Sequence, residues 1–181
     1  MRVRAKVCLI GPPAVGKTST VRRFVRSDFN LEYQATIGTV VHAKDLVLPG
    51  ERGEADTQVT LIIWDIMGEH NFMQLMKDAY FFGVRGILAV CDRTRPETLE
   101  ELSDWVPAVR EIAGEVPTVL VGNKSDLPEA SRVSEADLSA FAARYGGVGF
   151  PTSAKTGENV EAAFIALSKT LIARMEPAAP R

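Results

Sequence analysis

Apolar and polar residues follow one another along the chain in blocks that predict strands and helices in turn. Three apolar runs, LIIW, ILAVC and TVLV, are uninterrupted, as is typical of strands covered on both faces of a sheet. Amphipathic stretches separate most of the apolar runs. The pattern predicts strands at Val3–Ile10, Val40–Leu48, Gln58–Trp64, Gly86–Cys91, Pro117–Val121 and Val148–Pro151, and helices at Lys17–Arg26, Asn71–Tyr80, Pro96–Ile112, Glu135–Tyr145 and Val160–Met175.

Turn residues distinguish one hairpin from the other connections. Pro49, Gly50 and Gly53 lie between the second and third predicted strands, which we therefore expect to pair as an antiparallel hairpin. Elsewhere a helix intervenes between strands. The predicted fold class is α/β: a six-stranded, mostly parallel sheet with one antiparallel strand and about five helices on both faces. We expect a single domain over residues 1–175 and a short, flexible C-terminal tail over 176–181.

Composition and charge narrow the class of protein. A chain of 181 residues can bury a core without disulfides, and Cys8 and Cys91 lie in apolar runs where we expect them to fill that core. With 21 basic and 23 acidic residues the formal net charge is −2, and no basic stripe indicates a nucleic-acid partner. No signal peptide or stretch of transmembrane length is evident. Arg2 follows Met1 and the C-terminus has no cysteine, so we predict a cytoplasmic protein without a myristoyl or prenyl anchor.

The segment Gly11–Thr18, GPPAVGKT, has the form G-x-x-x-x-G-K-[ST] of a phosphate-binding loop. It follows a predicted strand and precedes a predicted helix, which is the context that this motif requires. Its glycines let backbone N–H groups converge on phosphate oxygens, and the positive end of the helix dipole adds to the attraction. Lys17 can bridge the outer phosphates, and the Thr18 hydroxyl can ligate magnesium. These residues predict a P-loop NTPase.

A second motif selects the base. Asn123-Lys124-Ser125-Asp126 comes after TVLVG, at the carboxyl end of a predicted parallel strand, where ligands bind in such sheets. The Asp126 carboxylate can accept two hydrogen bonds, from the ring N–H and the exocyclic amine of guanine, and adenine does not offer that pair of donors. TSAK, residues 152–155, follows the last strand, and a backbone N–H there can meet the guanine carbonyl. The predicted ligand is therefore a guanine nucleotide, GTP or GDP.

The third element is Asp65-Ile66-Met67-Gly68, directly after LIIW. An acid at the end of a strand that adjoins the phosphate loop is placed to hold magnesium, usually through water, in a phosphoryl-transfer site. Gly68 can bring its N–H against the terminal phosphate. The segment therefore predicts that Mg²⁺ accompanies the nucleotide.

With these motifs, the chain from about Val3 to Met175 resembles the Ras-like small GTPases, whose five nucleotide motifs are all present in order. Trp64-Asp65, Thr36-Ile37-Gly38 and the helix that contains Trp105 look most like the Rab branch. The resemblance implies a small monomeric GTPase that binds GTP and GDP, hydrolyses GTP and has effector, exchange-factor and activating-protein partners. It also implies switch segments at about residues 29–40 and 66–80, ordered by the γ-phosphate and released after hydrolysis.

The resemblance assigns roles by position as well. Lys17 contacts the β- and γ-phosphates, and Gly68 and Glu69 join it as catalytic residues. Phe29 packs edge-on to the guanine. Magnesium is ligated by Thr18, by Asp65 and, in the GTP state alone, by Thr36. The residues expected to contact the nucleotide are Ala14, Val15, Gly16, Lys17, Thr18, Ser19, Phe29, Thr36, Gly68, Asn123, Lys124, Asp126, Ser153, Ala154 and Lys155.

Three positions depart from the family pattern. Glu69 replaces the usual glutamine, and an ionised carboxylate can only accept hydrogen bonds and adds negative charge near the phosphates. Pro13 replaces a glycine beside the γ-phosphate; it has no N–H, and its ring can obstruct an arginine inserted by an activating partner. We therefore expect hydrolysis that is slow or that uses a geometry without the usual glutamine and inserted arginine. The third departure, Thr39-Val40-Val41 in place of an acidic and an aromatic residue, indicates a different effector surface.

Two alternatives to a GTP-hydrolysing switch remain open. Glu69 leaves room for a GTP-binding interaction module that does not hydrolyse its nucleotide, although the phosphate and magnesium residues are intact. An ATP-dependent P-loop kinase is disfavoured by Lys124 and Asp126, and by the lack of a recognisable segment that would cover an acceptor substrate.

Overall fold

The computed structural model describes residues 1–27, 38–50 and 55–175, except for the side chains of His70 and Phe72. No helix in these ranges is long and apolar enough to cross a membrane. The strands are β1 (Arg2–Ile10), β2 (Thr39–Leu48), β3 (Thr57–Ile66), β4 (Gly86–Asp92), β5 (Thr118–Asn123) and β6 (Val148–Pro151). The α-helices are α1 (Lys17–Arg26), α2 (His70–Phe81), α3 (Glu97–Ala113), α4 (Glu135–Ala143) and α5 (Val160–Met175).

The six strands form one sheet in the order β2-β3-β1-β4-β5-β6. β1 pairs in parallel with β3 and β4, and β5 pairs in parallel with β4 and β6, whereas β2 runs antiparallel to β3. The mostly parallel sheet and the single antiparallel strand are both as predicted, and the fold is that of the P-loop NTPases. Because the parallel strands point in one direction, their carboxyl ends meet at one edge of the sheet, where ligands bind in such folds.

Alternate residues of β1 divide between two apolar layers, one on each face of the sheet. Val7 and Leu9 pack with α1 and α5, whose Phe24 and Phe164 rings stack with centroids 3.8 Å apart. The intervening Cys8 packs in the opposite layer with α2, α3 and α4. Both cysteines of the chain are unpaired and buried, so they fill the core as predicted. Burial on both faces explains why the strand sequences are uninterrupted apolar runs.

The ends of several elements differ from the predicted ones by a few residues. β3 continues to Ile66 because its last residues stay paired with β2, so Asp65 lies inside the strand rather than after it. α3 begins at Glu97, with Pro96 as its N-terminal capping residue rather than in its first turn. A short 3-10 helix, Pro128–Ala130, was not predicted.

Candidate functional site

The predicted motifs come together at the carboxyl edge of the sheet. The phosphate loop follows β1, Asp65 lies near the end of β3, Asn123 ends β5, and the TSAK segment follows β6. β4, which lies between β1 and β5, ends at Asp92. The order of the strands therefore brings segments far apart in sequence to one site.

Two glycines of the phosphate loop have backbone conformations and surroundings that exclude a side chain. Gly11 has φ 138° and Gly16 has φ 98°, both in the region that L-residues rarely adopt. A Cβ atom on Gly11 would collide with the carbonyl oxygen of Val90, and one on Gly16 would collide with the amide of Asn123. The loop therefore packs tightly against β4 and β5, and its turn depends on glycine at both positions.

Lys17 lies under the phosphate loop, with 7% of the residue exposed. Its amine donates hydrogen bonds to the carbonyl oxygens of Gly11 at 2.7 Å and Pro12 at 2.8 Å. Burial lowers the pKa of this amine to about 8, and the charge of Asp65 opposes the shift. A buried cation without a full counter-charge favours an anion beside it, so the position suits phosphate binding.

Thr18 and Asp65 meet where the phosphate loop passes the end of β3. The Thr18 hydroxyl donates a hydrogen bond to Asp65 Oδ2 at 2.5 Å. Asp65 is fully buried, and its other oxygen, Oδ1, has no hydrogen-bond partner in the described parts of the chain. Burial raises the pKa of the Asp65 carboxyl, whereas the Thr18 bond and the charge of Lys17 lower it.

A hydroxyl and an unsatisfied carboxylate oxygen suit magnesium. Mg²⁺ is typically bound by one or two protein oxygens, with substrate phosphates and water completing its octahedron. No group of three or more histidine, cysteine, aspartate or glutamate side chains able to hold a metal occurs within the described ranges. The residues present therefore fit a cation that is shared with a nucleotide, rather than one held by protein ligands alone.

Gly68 lies against the phosphate loop. A Cβ atom at Gly68 would be 2.6 Å from Lys17 Nζ and 2.7 Å from the carbonyl oxygen of Pro12, so this close approach requires glycine. The next residue, Glu69, is exposed and caps the N-terminus of α2 without a hydrogen bond from its side chain. Gly68, Lys17 and Pro12 thus form one corner of the site, and the exposed Glu69 follows directly in the chain.

Asn123 joins the phosphate loop to the TSAK segment. Its Nδ2 donates to the carbonyl oxygen of Val15 at 2.9 Å, and its Oδ1 accepts from the backbone N–H of Ala154 at 3.0 Å. Only 3% of the residue is exposed. One buried side chain therefore fixes the spacing between the two loops that would flank a nucleotide.

Asp126 is oriented from the TSAK segment. Its Oδ1 accepts a hydrogen bond from the Ser153 hydroxyl at 2.7 Å, and Lys155 Nζ lies 3.9 Å from its Oδ2. Arg23 of α1 holds the same segment by donating to the carbonyl oxygens of Ala154 at 2.8 Å and Lys155 at 2.5 Å. The carboxylate predicted to read the base is thus fixed by its neighbours, and 15% of its side chain is exposed.

The structure adds two charged residues that the sequence analysis did not assign to the site, Asp92 and Arg95. Asp92 is fully buried and accepts from Lys124 Nζ at 2.5 Å and from Arg95 Nε at 3.0 Å. Burial raises the pKa of Asp92, but hydrogen bonds from Lys124, Thr94 and Arg95 outweigh it and hold that pKa below its usual value. Arg95 also donates to the carbonyl oxygen of Pro13 at 3.1 Å. In the sequence, the feature that could have indicated Asp92 as a site residue is an acid at the end of the apolar run of β4.

The other predicted contact residues fall into two groups. Ala14, Val15 and Ser19 lie in the phosphate loop and the first turn of α1, where Ala14 has the unusual positive φ of 59° for a residue with a side chain. Phe29 and Thr36 lie outside the described residues, as does most of the first predicted switch segment. The roles assigned to those two residues therefore stay predictions.

Comparison with known proteins finds relatives that align with nearly the whole chain. A model of the Ras family matches residues 6–173. The chain is 34% identical over 172 residues to Ras-related protein Rab-8A of Gallus gallus. This alignment covers 94% of this chain and 80% of that protein. It is 36% identical over 160 residues to Ras-related protein RABA2a of Arabidopsis thaliana, covering 88% and 70%. It is 32% identical over 173 residues to GTP-binding protein ypt4 of Schizosaccharomyces pombe, covering 94% and 73%.

Proposed function

The chain belongs to the Ras family, within its Rab branch, and from that premise we propose which of its residues bind the nucleotide and how they act. As a member of that family, it is a GTP-binding and GTP-hydrolysing molecular switch. The observation that carries the assignment of residues is the buried Asn123, which ties the phosphate loop to the TSAK segment. We propose that residues 1–175 form a single GTP-binding domain around this connection.

The phosphates bind in the loop between β1 and α1. Backbone N–H groups of residues 14–19 surround them, helped by the N-terminal end of α1, where partial positive charge is concentrated. Lys17 bridges the β- and γ-phosphates, and Gly68 donates its N–H to the γ-phosphate. The tight packing of Gly68 on Lys17 and Pro12 supports this arrangement.

Thr18 and Asp65 would hold magnesium beside the phosphates, and Thr36 would join them in the GTP state. When bound, Mg²⁺ would neutralise charge that develops on the phosphate oxygens. The buried, unsatisfied Oδ1 of Asp65 supports its role, because such an atom costs free energy unless it gains a partner. We expect Asp65→Asn to weaken GTP binding in Mg²⁺ far more than in EDTA; equal losses in both would contradict the assignment.

Asp126 reads the guanine by accepting from its ring N–H and exocyclic amine, and Ser153 and Lys155 orient the carboxylate. Replacing Asp126 by asparagine exchanges acceptors for donors at one end of the group, which suits xanthine rather than guanine. We expect the variant to bind xanthosine diphosphate in preference to GDP, measured by competition with a fluorescent nucleotide. Unchanged preference for GDP would contradict the base-reading role. Asp137→Asn, at an exposed cap of α4, is a matched control and should leave the preference unaltered.

The hydrolysis step is slow because two groups differ from the family pattern. Glu69 cannot donate a hydrogen bond to the transferring phosphoryl group while it is ionised. Pro13 offers no N–H to the γ-phosphate and its ring narrows the approach of an arginine from another protein. Glu69 is exposed, and within the described residues its side chain makes no capping hydrogen bond at the start of α2, which supports this view.

Single-turnover hydrolysis by the GTP-loaded protein tests this proposal. We expect Glu69→Gln and Pro13→Gly each to accelerate phosphate release by more than about twofold, which corresponds to roughly 0.4 kcal/mol in the barrier. Glu135→Gln, an exposed acid in the first turn of α4, is the control for loss of charge at a helix N-terminus. Rates within twofold of the wild type for both site variants would refute the proposal.

The family implies regulators and effectors as partners, and their contact surface in this chain has its own chemistry. On β2, Val40 and Val41 are 43% and 51% exposed, at the positions where Rab-like proteins usually have acidic and aromatic residues. We propose that effectors specific to this chain contact these valines as the neighbouring switch segment changes with the nucleotide. The monomeric state and the cytoplasmic location stay predictions from the sequence.

A further inference from the structure

We propose that Arg95 is a catalytic residue of GTP hydrolysis, which supplies within the chain the guanidinium that stabilises the transferring phosphoryl group. The inference rests on the proposed function, because it takes the phosphate loop as the site of the γ-phosphate. Arg95 lies in the turn between β4 and α3, beside the phosphate loop. It is distant in sequence from the motifs that identify the nucleotide site.

The location of the guanidinium carries the inference. Arg95 Nη2 donates to the carbonyl oxygen of Pro13 at 3.1 Å, and Lys17 Nζ donates to the carbonyl oxygen of the preceding residue, Pro12, at 2.8 Å. Gly68 packs on that same Pro12 carbonyl. Two cations are therefore held by consecutive peptide units, next to the glycine that approaches the loop from β3.

One edge of the Arg95 guanidinium is held by hydrogen bonds, and its other edge has N–H donors that can bind a ligand. Its Nε–H is directed to Asp92 Oδ2 at 3.0 Å and one Nη2–H to the Pro13 carbonyl, whereas its Nη1 makes no hydrogen bond within the described part of the chain. A guanidinium has more N–H donors than these two bonds use. With 38% of the side chain exposed, the remaining donors are accessible to a ligand. The planar fork suits the oxygens of a phosphoryl group.

Asp92 does not fully neutralise the two cations that it binds, so a net positive charge remains to attract a phosphoryl group. Asp92 is the shared partner of two cations, Lys124 and Arg95, so these three groups together carry a net charge of +1. Because the buried carboxylate also accepts from the backbone N–H and hydroxyl of Thr94, its position is fixed. Asp92 is therefore a positioning residue, which holds Arg95 at the loop while the three groups together remain cationic.

Pro13 is the contact of Arg95 in the phosphate loop. By the family pattern its ring hinders an arginine from another protein, and it removes an N–H from the loop, but its carbonyl oxygen remains and binds Arg95. An arginine supplied by the chain itself needs no entry route. Pro13 and Arg95 thus act as a pair, in which the residue that hinders an external arginine anchors an internal one.

Arg95 neither gives nor takes a proton during hydrolysis. The oxygen of a water molecule bonds to the γ-phosphorus, the bond from that phosphorus to the β–γ bridging oxygen breaks, and GDP, inorganic phosphate and one proton are released. Arg95 remains protonated, because a guanidinium does not give up its proton in proteins, and it contributes hydrogen bonds and charge alone. Its stabilisation is largest when negative charge has spread over the leaving and transferring oxygens.

Three variants test the assignment: Arg95→Ala, Arg95→Lys and Arg85→Ala. Arg85 is exposed just before β4, at the opposite edge of the sheet, and serves as the control for loss of a surface arginine. Each protein is loaded with GTP, and phosphate release is followed in a single turnover with Mg²⁺. GDP dissociation is measured in parallel, and fluorine NMR of the GDP complex in aluminium fluoride reports a bound mimic of the transferring phosphoryl group.

We expect Arg95→Ala to slow hydrolysis by at least about tenfold and to lose the bound-fluoroaluminate signal, while GDP dissociation changes by less than about threefold. Arg95→Lys should recover a minor part of the rate because it keeps the charge without the planar fork. Arg85→Ala should match the wild type in every readout.

Two results would overturn the role of Arg95. One is hydrolysis by Arg95→Ala within about twofold of the wild type. The other is a slower rate that comes with equally faster GDP dissociation and an intact fluoroaluminate signal, since that pattern marks a structural clamp on the loop. Failure of the wild type to bind GDP would instead contradict the proposed function, so the two ideas fail in distinguishable ways.

Discussion

Replacing Asn123 by alanine removes a side chain that ties the two nucleotide-flanking loops together. The change deletes hydrogen bonds of 2.9 Å to the Val15 carbonyl oxygen and 3.0 Å from the Ala154 N–H. Because Asn123 is only 3% exposed, both backbone groups are left in a buried place. A buried group without its partner costs about 1–3 kcal/mol, so two of them cost about 2–6 kcal/mol, with entry of water favouring the lower half.

We therefore expect the free energy of unfolding of Asn123→Ala in saturating GDP and Mg²⁺ to fall by about 3 kcal/mol, measured by urea titration. Part of the loss should be in nucleotide affinity, because the loops no longer hold their spacing. GDP dissociation should then accelerate by at least about tenfold, which corresponds to about 1.4 kcal/mol of binding free energy.

Asn159→Gly is the matched control for this experiment. Asn159 donates one exposed hydrogen bond, 2.8 Å long, to the Pro151 carbonyl oxygen, and glycine tolerates its φ of 52° without strain. The control should lose a few tenths of a kcal/mol and keep the GDP dissociation rate of the wild type. If Asn123→Ala lost stability but released GDP at the wild-type rate, the residue would be structural and the reasoning about loop spacing would be refuted.

Three further substitutions test the same contacts. Asp92→Asn should lower the free energy of unfolding by about 2 kcal/mol at pH 7, because its cationic partners lose a buried charge. Since the folded-state pKa of Asp92 is lowered, urea titrations should show this difference hold above about pH 4, shrink at lower pH, and vanish only once the pH is below the lowered pKa; a constant difference would contradict the pairing. Gly16→Ala should lower the affinity for GDP by at least about a hundredfold, measured by titration with a fluorescent nucleotide. The added Cβ would collide with Asn123, and the φ of 98° at this position is strained for alanine. Near-normal affinity would show that the loop can rearrange. Ser153→Ala should raise the Kd for GDP by about tenfold, because Asp126 loses the 2.7 Å hydrogen bond that orients it, and an unchanged Kd would contradict that role.

The sequence predicts the fold well because its main signals are local. Uninterrupted apolar runs identify the buried parallel strands, and the turn residues after β2 identify the antiparallel hairpin. The phosphate loop is recognisable because its glycines, lysine and threonine are contiguous, and the structure gives each glycine a steric reason. The guanine motif is likewise contiguous, which is why both could be interpreted without knowledge of the tertiary structure.

Contacts between distant segments are what the sequence left unpredicted. Asp92 and Arg95 show no motif of their own, and Arg95 could be interpreted only as a residue near the start of a helix. Their roles depend on the sheet order, which places the end of β4 between the phosphate loop and Lys124. The same holds for Asn123, whose two bonds to other loops no spacing rule could predict.

Release of phosphate from the purified, GTP-loaded chain over hours shows whether the protein hydrolyses its bound nucleotide. With Mg²⁺ present and no partner protein, we expect each bound GTP to be converted slowly to GDP and one inorganic phosphate. Chelation of Mg²⁺ should stop the conversion, because Thr18 and Asp65 would lose the cation that they share with the nucleotide. Bound GTP that remains intact with Mg²⁺ present would contradict GTP hydrolysis by this chain and would favour a GTP-binding module that does not hydrolyse its nucleotide.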